Sequence, residues 1–308
     1  MIVRKLVIGT RGSALAMWQA RWVADQLAAR APGLRVRLQI VKTAGDIASQ
    51  APLWEIGGGG LFVRELERAL LDGRVDLAVH SMKDLPAATA GGLVVGAVPQ
   101  RWDPRDVLIS RHGLTLRELP ASARVGTSSA RRRAQLLAYR RDLEIVPLRG
   151  NVDTRLRKAE SEDLDAIVLA AAGLVRLEKL GRVTEFLSPE LCLPAVGQGA
   201  LAVQLRGHDQ EVADVVALLD HPPTRAATEA ERAFLQALGG GCQVPVAALC
   251  VEVDGKLEMD GLVANPEGSK VMRARASARV DEAGELGIAL FQQLESQGAA
   301  ELLAEVEE

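Results

Sequence analysis

Three groups of residues in this sequence have types and spacings suited to chemistry. The first is a thiol. Cys242 sits in "GGGCQVPVAALC" (239–250), behind three glycines and just after a predicted helix. The other cysteines, Cys192 and Cys250, form no CxxC with it and give no metal-ligand spacing. Such a thiol is either a small buried hydrophobe or a nucleophile carried on a bare run of backbone.

The second group is a set of arginines at predicted helix starts. A helix N-terminus carries partial positive charge, so basic residues are disfavoured in its first turn. Yet "GTSSARRR" puts Arg131, Arg132 and Arg133 there, behind caps at Ser128 and Ser129. "LRGNVDTRLRK" sets Arg149 before an Asn151 cap and Arg155 one turn in, and "GTRGS" sets Arg11 two residues before a cap at Ser13. At the carboxyl edge of a parallel α/β sheet, free N–H groups, hydroxyls and guanidiniums converge where ligands bind. Guanidinium forks match carboxylate or phosphate, so a polyanionic ligand would offset the unfavourable charge. Solvated surface arginines are the alternative for any one of these positions.

The third is "VDLAVHSMKDLP" (75–86), a strand that runs into a polar turn carrying Ser81, Lys83 and Asp84. Asp84 beside Lys83 is a carboxylate whose charge its neighbour can tune. His80 is expected on the opposite side of the strand from Ser81. The four histidines, at 80, 112, 208 and 221, suggest no histidine-based metal site, and no metal is expected.

Short apolar runs alternate with amphipathic helical stretches over about the first 220 residues, which predicts an α/β fold with largely parallel sheets. "IGTRGSALAMWQA" from Ile8 echoes "VGTSSARRRAQLL" from Val125, and 75–85 echoes 164–174. Two similar α/β lobes around a cleft account for both echoes. Lobe 1 is assigned to residues 1–100 plus about 200–219, and lobe 2 to 101–199. Residues 220–308 change pattern to three antiparallel strands and a last helix, a small C-terminal α+β domain with Cys242 on its entry loop. Thr43–Gly60 is expected to be a mobile lid, given its glycines and Asp46.

Composition narrows the classes. Over 308 residues the apolar content is 48% and the net charge −3, giving no general attraction to nucleic acid or anionic membrane. Aromatic residues, at 3%, leave few stacking platforms for bases. The N-terminus reads as a first strand rather than a signal peptide, and the longest apolar run, 166–175, is about half of what a bilayer crossing needs. A cytoplasmic monomer with free thiols is expected, binding neither nucleic acid nor membrane.

Ten segments in order resemble the porphobilinogen deaminase family: "GTRGSALAMWQA", "GDI", "GGGGLFVRELERALL", "DLAVHSMKDLP", "DPRDVLIS", "GTSSARRRAQL", "LRGNVDTRLRK", "AAAGLVRL", "LPAVGQGALAVQ" and "GGGCQVPVAA". The resemblance implies two periplasmic-binding-protein-like lobes and a transferase. Its reaction would join four porphobilinogen molecules head to tail, releasing ammonia and then hydroxymethylbilane. It further implies a dipyrromethane cofactor held by a thioether to Cys242. Asp84 would be the catalytic carboxylate. Lys83, Ser81, Thr127, Ser129, Arg131, Arg132, Ser13 and Asp46 would hold the cofactor, and Arg11, Arg149, Arg155, Arg176 and Gln19 the substrate and growing chain. Glu55 and Gly59 stand where many relatives carry basic residues, and Arg64 is a candidate replacement for that charge. The rival reading is a non-catalytic two-lobed anion-binding protein, which leaves Cys242 unexplained.

Overall fold

The computed structural model describes residues 5–43, 63–161, 163–239 and 245–302. Cys242, Asp46, Glu55 and Gly59 lie outside these residues. The chain divides into two compact units, Met1–Trp102 with Ala200–Arg225, and Asp103–Gly199 with Ala226–Glu308.

The elements of the first stretch are β1 (Lys5–Thr10), α1 (Ala14–Arg30), β2 (Arg35–Ile40), α2 (Arg64–Leu71), β3 (Leu77–Ser81) and β4 (Leu93–Ala97). The second stretch holds β5 (Asp106–Ser110), β6 (Arg124–Gly126), α3 (Ala130–Tyr139), β7 (Glu144–Val146), α4 (Val152–Ser161), β8 (Ala166–Ala170), α5 (Ala171–Arg176) and β9 (Glu185–Phe186). The chain then returns through β10 (Leu201–Arg206) and α6 (Gln210–Val216) to α7 (Pro222–Ala237). Last come β11 (Val246–Val253), β12 (Lys256–Ala264), β13 (Val271–Arg279) and α8 (Ala283–Ser296).

The first unit is a five-stranded sheet in the order β2-β1-β3-β10-β4. β1 lies parallel to both β2 and β3, whereas β10 runs antiparallel to β3 and β4. Leu6, Ile8, Leu77, Val79, Leu201 and Val203 point into one core against Ala20, Val23 and Leu27 of α1. That helix begins at Ser13, whose hydroxyl accepts from Ala16 N, one of the donors a helix start leaves unmet. Trp18 and Trp22 meet Trp102 edge to face, at 6.1 and 4.7 Å between ring centroids.

The second unit repeats this plan with the sheet order β7-β6-β8-β5-β9. Here β6 is parallel to β7 and β8, and β5 is antiparallel to β8 and β9. β1 and β6 occupy the same place, as do β3 and β8, so the two sequence echoes correspond to equivalent strands. The expectation of largely parallel sheets holds for four of the five strands in each lobe; the exception, β10 or β5, is the strand that enters where the chain crosses over.

Residues from Ala226 onward group with the second lobe, and Arg225 closes the first unit, six residues beyond the expected 219. The antiparallel sheet β11-β12-β13 and α8 enclose their own core around Phe234, Met259 and Leu290. The turn after β12 packs on α3. Gly268 there has φ +65°, and a Cβ on it would lie 2.1 Å from the Ala134 carbonyl oxygen. Gly268→Val therefore combines left-handed strain with a backbone clash, and should cost about 1–3 kcal/mol. A thermal unfolding scan checks this, and an unchanged midpoint would contradict the contact.

Candidate active site

In the first unit, the strand ends gather polar side chains. β3 is buried along Leu77–His80 and emerges at Ser81. A 3-10 turn, Met82–Asp84, closes the strand: Met82 N donates to Ala200 O at 3.0 Å, and the Met82 side chain packs with Leu85, Val98 and Ala202. Burying Met82 leaves Lys83 and Asp84 exposed side by side. The buried Gln19 of α1 donates through Nε2 to Ser81 Oγ at 2.9 Å, which joins two of the predicted residues directly. Arg11 and Ser13 follow β1, both half-buried.

His80 faces away from this group, as the strand alternation requires. Its Nε2 lies 3.0 Å from Gln204 Oε1. Since Gln204 Nε2 donates to Glu67 Oε1 at 3.0 Å, the Gln204 oxygen is the acceptor and the neutral His80 the donor. Burial pushes the His80 pKa down to about 4 despite that hydrogen bond.

In the second unit, Ser129 caps α3 by accepting from Arg132 N at 3.4 Å, while Ser128 turns to Leu148 O at 3.0 Å. Thr127 is buried, and its Oγ1 accepts from Ser129 N at 3.2 Å. Asn151 Oδ1 accepts from Thr154 N at 2.8 Å, confirming that cap, and Arg155 Nε donates to Gly150 O at 2.8 Å. Arg149 and Arg155 are half-buried. Arg176 is buried, with Nη2 donating to Gly199 O at 2.7 Å.

The arginines of α3 are not solvated. Arg131 and Arg132 are 6% and 5% exposed, and both reach the fully buried Asp106 at the start of β5. Arg131 Nη2 lies 2.7 Å from Asp106 Oδ2, and Arg132 Nη2 2.7 Å from Oδ1. Gln198 Nε2 adds a donor to Oδ1 at 2.9 Å, and the Cys192 thiol one to Oδ2 at 3.4 Å. Burial by itself would raise the Asp106 pKa, but the two guanidiniums outweigh it and hold the carboxyl below the usual carboxylate range. Part of the first-turn charge expected to await a ligand is thus compensated from inside the protein. Arg133 is exposed and donates to Pro266 O at 3.2 Å.

Sequence reasoning singled out neither Asp106 nor Gln198. The available signal was an aspartate opening the apolar strand "DVLIS" opposite three first-turn arginines. The residues present suit an anionic group, because two guanidiniums against one carboxylate leave one net positive charge. Among the described residues, Cys192 and Cys250 are buried. Burial and the Asp106 charge push the Cys192 thiol up to about 12, so it is no nucleophile near neutral pH.

The described residues therefore define a two-lobed α/β protein with cationic side chains clustered at its strand-to-helix junctions. The family model described as the dipyrromethane cofactor-binding domain of porphobilinogen deaminase matches residues 6–214, and that of the porphobilinogen deaminase C-terminal domain matches 226–296. The chain belongs to the porphobilinogen deaminase family. It is 50% identical to the porphobilinogen deaminase of Pelotomaculum thermopropionicum, over 97% of this chain and 96% of that one. It is 52% identical to that of Moorella thermoacetica, over 98% and 96%. Among solved structures, it is similar to the BvgS VFT2 domain of Bordetella pertussis at a TM-score of 0.42 and 16% identity, over 70% of this chain and 86% of that one.

The His80 position makes stability depend on pH. Its folded pKa, about 4, lies below the ordinary 6.5, so the unfolded chain takes up the proton first as pH falls. The contribution is complete above pH 6.5 and is lost as pH drops towards 4. Between pH 7 and 5 this group alone should remove about 2 kcal/mol. Urea unfolding at the two pH values should show a smaller loss for His80→Gln than for the parent, and equal losses would contradict the assignment.

Proposed function

We propose that this protein uses Asp84 and a set of arginines to join four porphobilinogen molecules head to tail into hydroxymethylbilane, a transferase reaction of tetrapyrrole biosynthesis. The observation that carries this reading is the match of both porphobilinogen deaminase family models, over 6–214 and 226–296. Each condensation breaks the aminomethyl C–N bond, releases ammonia and leaves a methylene pyrroleninium cation. The free α-carbon of the growing chain attacks that methylene, a C–C bond forms, and the α-proton departs. After four additions the bond holding the new chain at its terminal methylene breaks, and water supplies the hydroxyl of hydroxymethylbilane. Dipyrromethane, when bound, supplies the first free α-carbon.

Asp84 suits both proton and charge requirements. In acid form it protonates the leaving amine, and as a carboxylate it stabilises the cation beside the pyrrole N–H groups. Its place supports the role: it is exposed on the turn closing β3, next to Lys83. The acetate and propionate groups of each pyrrole call for cations. Arg11, Arg149, Arg155 and Arg176, with Gln19, take the incoming substrate and moving chain. Lys83, Ser81, Thr127, Ser129, Arg131, Arg132, Ser13 and Asp46 hold the cofactor, with Cys242 as the thioether attachment. The inert environment of Cys192 supports Cys242 over it. A cytoplasmic, monomeric enzyme goes with this reading.

Asp84→Asn keeps the shape of the side chain and removes its acid–base function. Product formation from porphobilinogen should fall by about 10²–10⁴-fold, with a smaller change in KM. A variant turning over at the parent rate would remove Asp84 from the mechanism.

A further inference from the structure

We propose that Asp106 is the positioning residue for the cofactor-binding arginines: its two carboxylate oxygens, one to Arg131 and one to Arg132, fix both guanidiniums before dipyrromethane is built. The proposal rests on the reading above, that these arginines hold the cofactor.

The geometry divides the carboxylate between the two side chains. Oδ2 takes Arg131 and the Cys192 thiol; Oδ1 takes Arg132 through both Nη2 and Nε, and also Gln198. Backbone bonds anchor the aspartate itself, since Asp106 pairs with Ala170 of β8 and its carbonyl accepts from Leu187 N at 2.9 Å. The arginines have secondary holds of their own. Arg131 Nη1 donates to Leu193 O at 2.6 Å, and Arg132 Nη1 to Val168 O at 3.0 Å.

Stability alone gives little reason for this arrangement. Three buried charges lose hydration, and well-packed apolar residues commonly serve a core as well or better. The first turn of a helix is moreover an unfavourable place for two cations. Without Asp106, the adjacent like charges would repel and turn towards water. With it, they stay fixed as a pair carrying one net positive charge, ready for a further carboxylate at no cost in rearrangement.

The test measures loading of the apo-protein by intact mass. Purified apo forms of the parent, Asp106→Asn, Asp106→Glu, Arg132→Leu and Leu136→Ala are incubated with porphobilinogen, and the added mass on Cys242 is followed with time. Leu136 is buried in the same helix and packs in the apolar cluster with Leu108 and Val125, so its truncation controls for lost stability. Loading of Asp106→Asn should slow about 10- to 100-fold, while Leu136→Ala at a matched thermal midpoint loads near the parent rate. Asp106→Glu keeps the charge but moves the carboxylate by one methylene. It should fold and still load slowly, which carries the test if Asp106→Asn is insoluble. Parent-rate loading by a folded Asp106→Glu, or equal slowing in Leu136→Ala and Asp106→Asn, would overturn the proposal. Full loading of Arg132→Leu would instead overturn the assignment of that arginine to the cofactor. Arg132→Leu failing while the Asp106 variants load normally would leave that assignment standing and remove only the positioning role.

Discussion

A single buried carboxylate, shared between two arginines, constrains much of the second lobe. Asp106 opens β5, Arg131 and Arg132 open α3, and neither charge could be buried without the other. Satisfying this cluster fixes the neighbouring chain. Gln198 reaches Asp106 and Pro104 O from the turn where the chain leaves the lobe. Gln135, one turn along α3, holds Leu193 through both its amide oxygen and nitrogen. Asp106, α3 and the 192–199 segment are therefore tied into one polar network at the crossover.

The same segment connects to the C-terminal domain. The Gly197 amide donates to Glu231 Oε2 at 2.6 Å, and Glu231 Oε1 accepts from Cys250 N at 2.9 Å. Glu231 is fully buried on α7, the helix that precedes the Cys242 segment in the chain. Gly199 then gives its carbonyl to Arg176. Successive residues of "VGQG" thus serve the C-terminal domain, the Asp106 cluster and Arg176. Both glycines adopt positive φ, +70° and +90°, which a side chain would oppose.

Local signals made much of this legible in advance. The caps at Ser13, Ser129 and Asn151 follow from side chains that satisfy orphan helix donors, a short-range effect. Alternation along 77–81 placed His80 and Ser81 on opposite sides. The Ile8 and Val125 echo survives as β1 and β6 because equivalent strand–helix units meet the same packing demands. What remained hidden is non-local. An apolar run has the same appearance whether it pairs parallel or antiparallel, so the reversed β5 and β10 left no local mark. Asp106 pairs with residues 25 and 26 positions away, and nothing in "DVLIS" names that partner. Unusual arginines pointed to a missing anion; the fold supplies one internally, and the net charge left over suits the carboxylates of the family's cofactor.

The central claim is that this chain carries its dipyrromethane on Cys242, and intact mass tests it most directly. The purified parent should exceed its sequence mass by two linked pyrrole units, and the Cys242→Ser variant should not. A parent mass equal to the bare sequence, still unchanged after incubation with porphobilinogen, would contradict the account.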